Sequence, residues 1–432
     1  MVQSLRKGRI FYGWWIVVVC ILVTMLHAGA SFYAFSRFLP TLLDEFKSGA
    51  TVIAGAASLY MLVVGLTGPI AGKLTDKYGP KRLIVIGAVI GAAGLMLLGV
   101  ANAVWHLYVF YFIVGIGMSG AGFVPVGVAI SNWFDRRRGV AMGITMAGVS
   151  LGAIVIAPLA HYLIVWTSWR MAFVILGAMC AVLIVIPVMF VMRNKPEDMG
   201  LLPDGARPRE GETAPALAGV PAPSNPNRTT SANEESWTLS MAFRSLPFWL
   251  VLATFFFAGI VVAGVLQHEV NILKGLGIPL AAASFALGLT GGIGGVGKVL
   301  FGFVADRFTP KYASILCIAL QIVGLIILMM THTTAMVWVF VFVYGFAMGG
   351  WLTLEPLITG HFFGMASFGT IFGWVLAAAA VGSGLGPIIM GAIYDATGDY
   401  FVGLVIFLGA YITSMTAILL ARKPKLVSKA SL

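Results

Sequence analysis

A single lysine, Lys298, stands in a run of glycines (Gly291, Gly292, Gly294, Gly295 and Gly297) eight residues before Asp306 in an otherwise apolar stretch. At ~1.5 Å of rise per residue, a helix through this stretch puts the ammonium about 12 Å from its charged end, near the middle of a bilayer. A charge at that depth is expensive and needs a counter-charge. The glycines leave room for a cavity or a close helix contact, and a substrate carboxylate could complete the ammonium. The competing reading is a lysine tied permanently to an internal acid. Glu355 is the only acid of its own apolar stretch, about five residues from that stretch's charged end, and His27 falls in the outer half of the first stretch. Either could load and unload a proton, imidazole because it titrates near neutrality. Glu355 could instead bridge to Arg307 and Lys311, and His27 could be a packed, hydrogen-bonded side chain. Tyr60, Thr145 and Tyr344 lie at depths where a hydroxyl could meet a carboxylate or simply join two helices.

The elements that must position these groups are membrane-spanning helices. Of 432 residues, 59% are hydrophobic and 10% charged, against roughly 25% charged in soluble domains. Stretches of about 20 apolar residues suffice to cross a bilayer, because a helix satisfies its own backbone there. Twelve such stretches are expected, at 11–36, 50–71, 83–102, 105–131, 139–165, 171–192, 247–272, 281–305, 312–331, 335–360, 366–393 and 400–421. The fold class is therefore all-α, a membrane protein of twelve transmembrane helices in two pseudo-symmetric six-helix bundles.

The net charge of +11 does not point to nucleic acid, because the basic residues are sorted to one side of the membrane. With a cytoplasmic N-terminus that side holds Arg6, Lys7, Arg9, Lys73, Lys77, Lys81, Arg82, Arg136, Arg137, Arg138, Arg307, Lys311, Arg422, Lys423, Lys425 and Lys429, and the other side only Arg37, Lys47, Arg170 and Lys274. The positive-inside rule then places both termini in the cytoplasm of a multi-pass inner (plasma) membrane protein. Cys20, Cys180 and Cys317 fall inside expected helices as small apolar side chains. No disulfide, metal or cofactor is implied.

Residues 193–246 break the apolar pattern with Pro, Asn, Ser, Thr and both signs of charge, which reads as a cytoplasmic linker, disordered in its middle. It separates an N-terminal bundle (1–192) from a C-terminal bundle (247–432). The two repeat each other at an offset of about 230 residues: Gly72 to Lys77 matches Gly302 to Arg307, Trp133 and Phe134 match Phe362 and Phe363, and Pro158 matches Pro387. Duplicated six-helix units suit a carrier that rocks two bundles around a midplane site.

The segment Gly72 to Arg82, GKLTDKYGPKR, resembles the signature loop of the major facilitator superfamily, with a weaker copy from Gly302 to Lys311. Tyr12-Gly13-Trp14, the run Asn132 to Gly143 and the lead-in Trp237 to Leu250 resemble the monocarboxylate and oxalate:formate antiporter-type permeases within it. The resemblance implies that Lys298 stands where related permeases commonly carry an Arg that anchors the carboxylate. An ammonium is a point charge without the guanidinium fork, so the substrate geometry need not carry over. It also implies that Arg37, after Tyr33-Ala34-Phe35, meets the anion on the outer side. His268 and Glu269, shifted back by the repeat offset, fall beside Arg37, which suggests an outer gate in which Arg37 pairs with Glu269 when closed; snorkelling of Arg37 to the interface is the alternative. Gly72, Asp76, Lys77, Arg82, Asp306 and Arg307 then form a conformational latch across the cytoplasmic helix ends.

Gly148 to Gly152 fits a hydrolase nucleophile pattern, and Gly115 to Gly120 and Gly292 to Gly297 fit a dinucleotide fingerprint. All lie within helices, where the strand, turn and helix that such chemistry needs are unavailable. The chain is expected not to be an enzyme. The expected function is proton symport of a small organic anion, a monocarboxylate such as lactate or pyruvate, by a monomer in the lipid bilayer. Proton-driven export of a hydrophobic drug or metabolite and anion:anion antiport remain open, with a sensor built on a transporter fold further off.

Overall fold

A computed structural model describes residues 11–205 and 237–424. Among them twelve helices are long and apolar enough to cross a membrane. They are α1 (Gly13–Phe46), α2 (Val52–Tyr78), α3 (Pro80–Leu98), α4 (Val104–Trp133), α5 (Arg138–Trp166), α6 (Trp169–Val191), α7 (Leu246–Gly275), α8 (Leu280–Arg307), α9 (Pro310–Met329), α10 (Thr334–Phe363), α11 (Phe368–Thr397) and α12 (Phe401–Leu420). There is no strand among the described residues, and the chain is a multi-pass membrane protein. Most of the expected linker (206–236), together with Arg6, Lys7, Arg9, Lys425 and Lys429, lies outside them.

Several helices run past the apolar stretch that announces them. The reason is that backbone hydrogen bonding continues after hydropathy stops. α1 continues to Phe46 through Pro40 and carries Arg37 within a helix. α10 continues to Phe363, so Glu355 lies eight residues from its end, about 12 Å deep at ~1.5 Å per residue. That is deeper than the apolar run alone suggests, and comparable to Lys298.

Two apolar cores form. One gathers Trp133, Tyr111, Phe38 and Phe173, the other Phe340, Tyr344, Phe407 and Tyr411. The outer surface keeps large apolar side chains such as Leu66, Ile70, Phe190 and Phe342 exposed, an arrangement suited to lipid and not to water.

Three interruptions shape the interior. α1 and α5 each carry a π-helical turn, Gly29–Tyr33 and Gly152–Ile156, and the two face each other closely enough that a Cβ on Gly29 would meet Ile156. Such turns are rare and concentrate at functional sites. α4 is broken at Ala121 and Gly122, and its second half starts at Phe123.

Candidate functional site

The two halves meet along two seams, α2 against α11 and α5 against α8. Both rest on glycines. A Cβ on Gly72 would collide with the carbonyl of Gly369, one on Gly68 would press on that of Gly373, and on the other seam Gly302 stands against Gly139 and Gly143 against the carbonyl of Lys298. Each seam ends in a carboxylate. Asp76 accepts hydrogen bonds from the Gly369 N–H (2.9 Å), the Thr370 N–H (2.8 Å) and the Thr370 hydroxyl (2.7 Å). Asp306 accepts from the N–H groups of Gly139 (2.6 Å) and Val140 (2.8 Å). Each acid thus caps the first turn of a helix in the other half, where free N–H groups and the positive helix end favour an anion.

The latch expectation is corrected in its partners. Among the described residues no basic side chain is within ion-pair distance of Asp76 or Asp306; backbone N–H groups and the Thr370 hydroxyl hold them. Lys77 lies over the Tyr78 ring at 5.0 Å, while Arg82 and Arg307 are exposed. The swapped arrangement follows the repeat: Asp76 and Asp306 are 230 residues apart, and so are Gly139 and Gly369. Nothing local in the sequence marks Gly139, Gly143, Gly369 and Gly373 as contacts between the halves. Carrying the offset beyond Gly72 and Asp76 to the helices they touch is the signal that finds them.

The seams close at one end only. On α8 the face bearing Gly295, Lys298, Gly302 and Asp306 packs on α5, with Gly295 close to Ser150. One and two turns further from Asp306, on the same face, Gly288, Gly291 and Gly292 have open space where a Cβ would be. The end carrying Asp76, Asp306 and Arg138, hereafter the basic end, is shut, and the interface opens away from it.

Lys298 lies where that opening stops. It is 6% exposed, and its Nζ donates to the Ser150 hydroxyl at 3.1 Å and the Gly294 carbonyl at 3.4 Å. No carboxylate among the described residues is within ion-pair distance of it. The internal acid of the competing reading is therefore not its partner in this state. Ser150 is the serine of the Gly148 to Gly152 pattern, which by itself carries no sign of this role.

A cavity of about 220 Å³ lies between the halves, walled by α1, α2, α4, α5, α10 and α11. It collects His27, Tyr60 and Glu355, and beside them Tyr33, Phe123, Val149, Trp351 and Ser383. Lys298 and Ser150 are not in its wall; Val149, next to Ser150, is. Glu355 is 0% exposed and neither of its oxygens has a hydrogen-bond partner among the described residues. Its expected bridge to Arg307 and Lys311 does not form: Lys311 Nζ donates to the carbonyls of Leu419 (3.0 Å) and Ala421 (2.7 Å). His27 packs edge-on against Phe123 at 5.1 Å, and its Nδ1 has no partner among the described residues. It is packed but not hydrogen-bonded through that nitrogen.

Other candidates are not brought to the cavity. Thr145 serves the contact of α1 with α5, its carbonyl accepting from the Thr24 hydroxyl at 2.8 Å. Tyr344 shares a hydrogen bond of 3.0 Å with Tyr411 inside the second core. Glu269 is buried and accepts from the Thr290 hydroxyl at 3.0 Å. His268 is held by the Pro387 carbonyl (3.1 Å) and the Tyr400 hydroxyl (3.4 Å). Arg37 is exposed and makes no ion pair with Glu269. A larger recess of about 560 Å³ near Asn271, Tyr394 and Tyr400 offers only surface-exposed charges, Lys274 and Asp399.

Comparison with known proteins fits this architecture. The sequence model of the Major Facilitator Superfamily matches residues 20–375 and 270–431. Monocarboxylate transporter 12 of Xenopus laevis is 27% identical over 404 residues, covering 90% of this chain and 84% of that protein. Monocarboxylate transporter 13 of Bos taurus is 24% identical over 418 residues, covering 95% and 89%. Among solved structures, the E. coli fucose:proton symporter aligns with a TM-score of 0.68 at 15% identity, covering 95% of this chain and 100% of that one. A human organic anion transporter aligns at 0.70 and 12% identity, covering 94% and 99%.

Proposed function

Because the chain belongs to the Major Facilitator Superfamily and is related to monocarboxylate transporters, we propose that it carries a small organic monocarboxylate together with a proton by alternating access. The observation that carries this reading is Lys298, a buried ammonium at the closing point of the interface with a hydroxyl and a carbonyl for partners and no carboxylate. Two neutral acceptors leave a desolvated positive charge uncompensated, and an arriving carboxylate supplies what is missing. Glu355, with both oxygens unpartnered at the cavity, takes the proton, and His27 in the same wall relays it. With proton and anion both aboard, the loaded site carries less net charge than the empty one would with either alone, which lowers the cost of closing it against water.

The basic end is cytoplasmic by the positive-inside rule, in an inner (plasma) membrane, with residues 1–192 and 247–432 as the two moving bodies and 193–246 as their tether. The state described is then outward-facing. Arg37 at the open end receives the anion and would meet Glu269 when that end closes.

Uptake of radiolabelled carboxylate into proteoliposomes, with the outside acidified, tests the reading. The native chain accumulates substrate and Lys298→Ala does not; full accumulation by that variant sinks the assignment. Export of an apolar compound is a second reading, drawn from the largely apolar cavity wall. Loss of substrate from preloaded vesicles against an inward proton gradient would favour it.

A further inference from the structure

We propose that the carried acid has a bulky apolar body of aromatic size, seated with its carboxylate at Lys298 and Ser150 and its body in the cavity against Trp351 and Phe123. The inference rests on the anion reading above and narrows it.

Three observations converge. The first is size. A volume of about 220 Å³ is about seven times the ~30 Å³ share of one water molecule. A three-carbon acid bound at Lys298 leaves the apolar wall of this open space in contact with water. The second is chemistry. Away from His27, Tyr33, Tyr60, Glu355 and Ser383, the wall is built from side chains such as Val64, Phe123, Val149, Trp351, Leu352 and Leu376. A short acid leaves this apolar area facing water, whereas a ring covers it and stacks on the indole. The third is charge. Among the described residues the cavity wall carries the acid Glu355 and no lysine or arginine, which leaves Lys298 as the cation for the guest's carboxylate. One carboxylate is compensated; a second at the far end of the guest would find no lysine or arginine in the cavity wall to pair with, so a dicarboxylate binds more weakly.

The geometry also orders the parts. Val149 is in the wall and Ser150, one residue on, holds the ammonium. The carboxylate therefore sits beside α5, and the body reaches Phe123 of α4 and Trp351 of α10.

Binding is the proper readout, since aromatic acids cross bilayers unaided in their neutral form. The full chain, purified in detergent, is titrated with lactate, pyruvate, benzoate, phenylacetate, succinate and the neutral phenylacetamide, following thermal stability and tryptophan fluorescence. Each sheltered methylene equivalent is worth about four-fold in affinity, so phenylacetate should bind at least ten-fold tighter than lactate, with succinate and phenylacetamide weaker than both aromatic acids. Trp351→Ala should cost phenylacetate about ten-fold and lactate less than two-fold; Trp351→Phe serves as the milder variant if the first fails to fold. Lactate or pyruvate binding as tightly as phenylacetate overturns the inference and leaves the anion reading standing. Phenylacetamide binding as well as phenylacetate, with Lys298→Ala unaffected, overturns the anion reading itself.

Discussion

Asp306 at the end of α8 reaches the backbone N–H of Gly139 at the start of α5, 2.6 Å away, and so joins the two halves of the carrier by a carboxylate capping a helix of the other half. Its repeat partner Asp76 does the same at Gly369 on the second seam. A charge on a helix N-terminus holds without a counter-ion and is released when the helix end moves off, which suits a contact that must break once per cycle.

Removing one of these carboxylates should shift the balance away from the state described. Hydrogen bonds to a charged group contribute about 1.5–3 kcal/mol, so Asp306→Asn or Asp76→Asn is expected to shift the equilibrium constant against the closed basic end by about ten-fold or more. A reporter cysteine at Gly292, in the open part of the interface, reads this out through labelling by a membrane-impermeant thiol reagent. The native cysteines are buried. Labelling that stays at the parent level in both variants would mean the caps do not hold the seam.

The glycine contacts should act in the same direction. A methyl group at Gly72 or Gly302 meets a carbonyl of the other half, and overpacking of that kind costs about 1–3 kcal/mol. Gly302→Ala is expected to lower reporter labelling as Asp306→Asn does. Because the two sites share one contact, the double variant should fall short of the sum of the single effects.

Ser150 offers a separate check on how Lys298 is held. Ser150→Ala leaves the ammonium with the Gly294 carbonyl alone, at a loss of about 1.5–3 kcal/mol for a charge-assisted bond. The variant should melt at a lower temperature without ligand. A bound carboxylate should restore more stability to it than to the native chain. Equal melting of the two empty proteins would rule out Ser150 as the holder.

Glu355 should set the pH dependence of transport. If it carries the proton, accumulation by the native chain rises as the outside is taken from pH 7.5 to 5.5, because protonation is the loading step. Glu355→Gln, which fixes the neutral shape, is expected to keep exchange of labelled for unlabelled substrate and to lose at least ten-fold in proton-driven accumulation. A native pH profile in that variant would assign the proton elsewhere, with His27 next in line.

Much of this was legible in the chain itself. Apolar runs long enough to satisfy their own backbone determined twelve spans, the 230-residue echo of Gly72 to Asp76 determined the two-fold plan, and the glycine-rich setting of Lys298 marked a charge too costly to be idle. What periodicity could not decide was who faces whom across the halves. Asp76 is close in sequence to Lys77 and Arg82 and reads as a salt-bridging group, yet Gly369, nearly three hundred residues away, supplies its partner. Glu355 reads either as a proton carrier or as a bridge to Arg307 and Lys311, until the extra turn of α10 and the packing of α1 and α11 seal it beside His27. Thr145 and Tyr344 have the depth of cavity residues, yet both are buried away from its wall, Tyr344 against Tyr411. Depth along a helix is a one-dimensional property that composition records. The direction of a side chain and the identity of its neighbour depend on how two bundles dock, and a hydrogen bond or an uncompensated charge exists only once that docking is made.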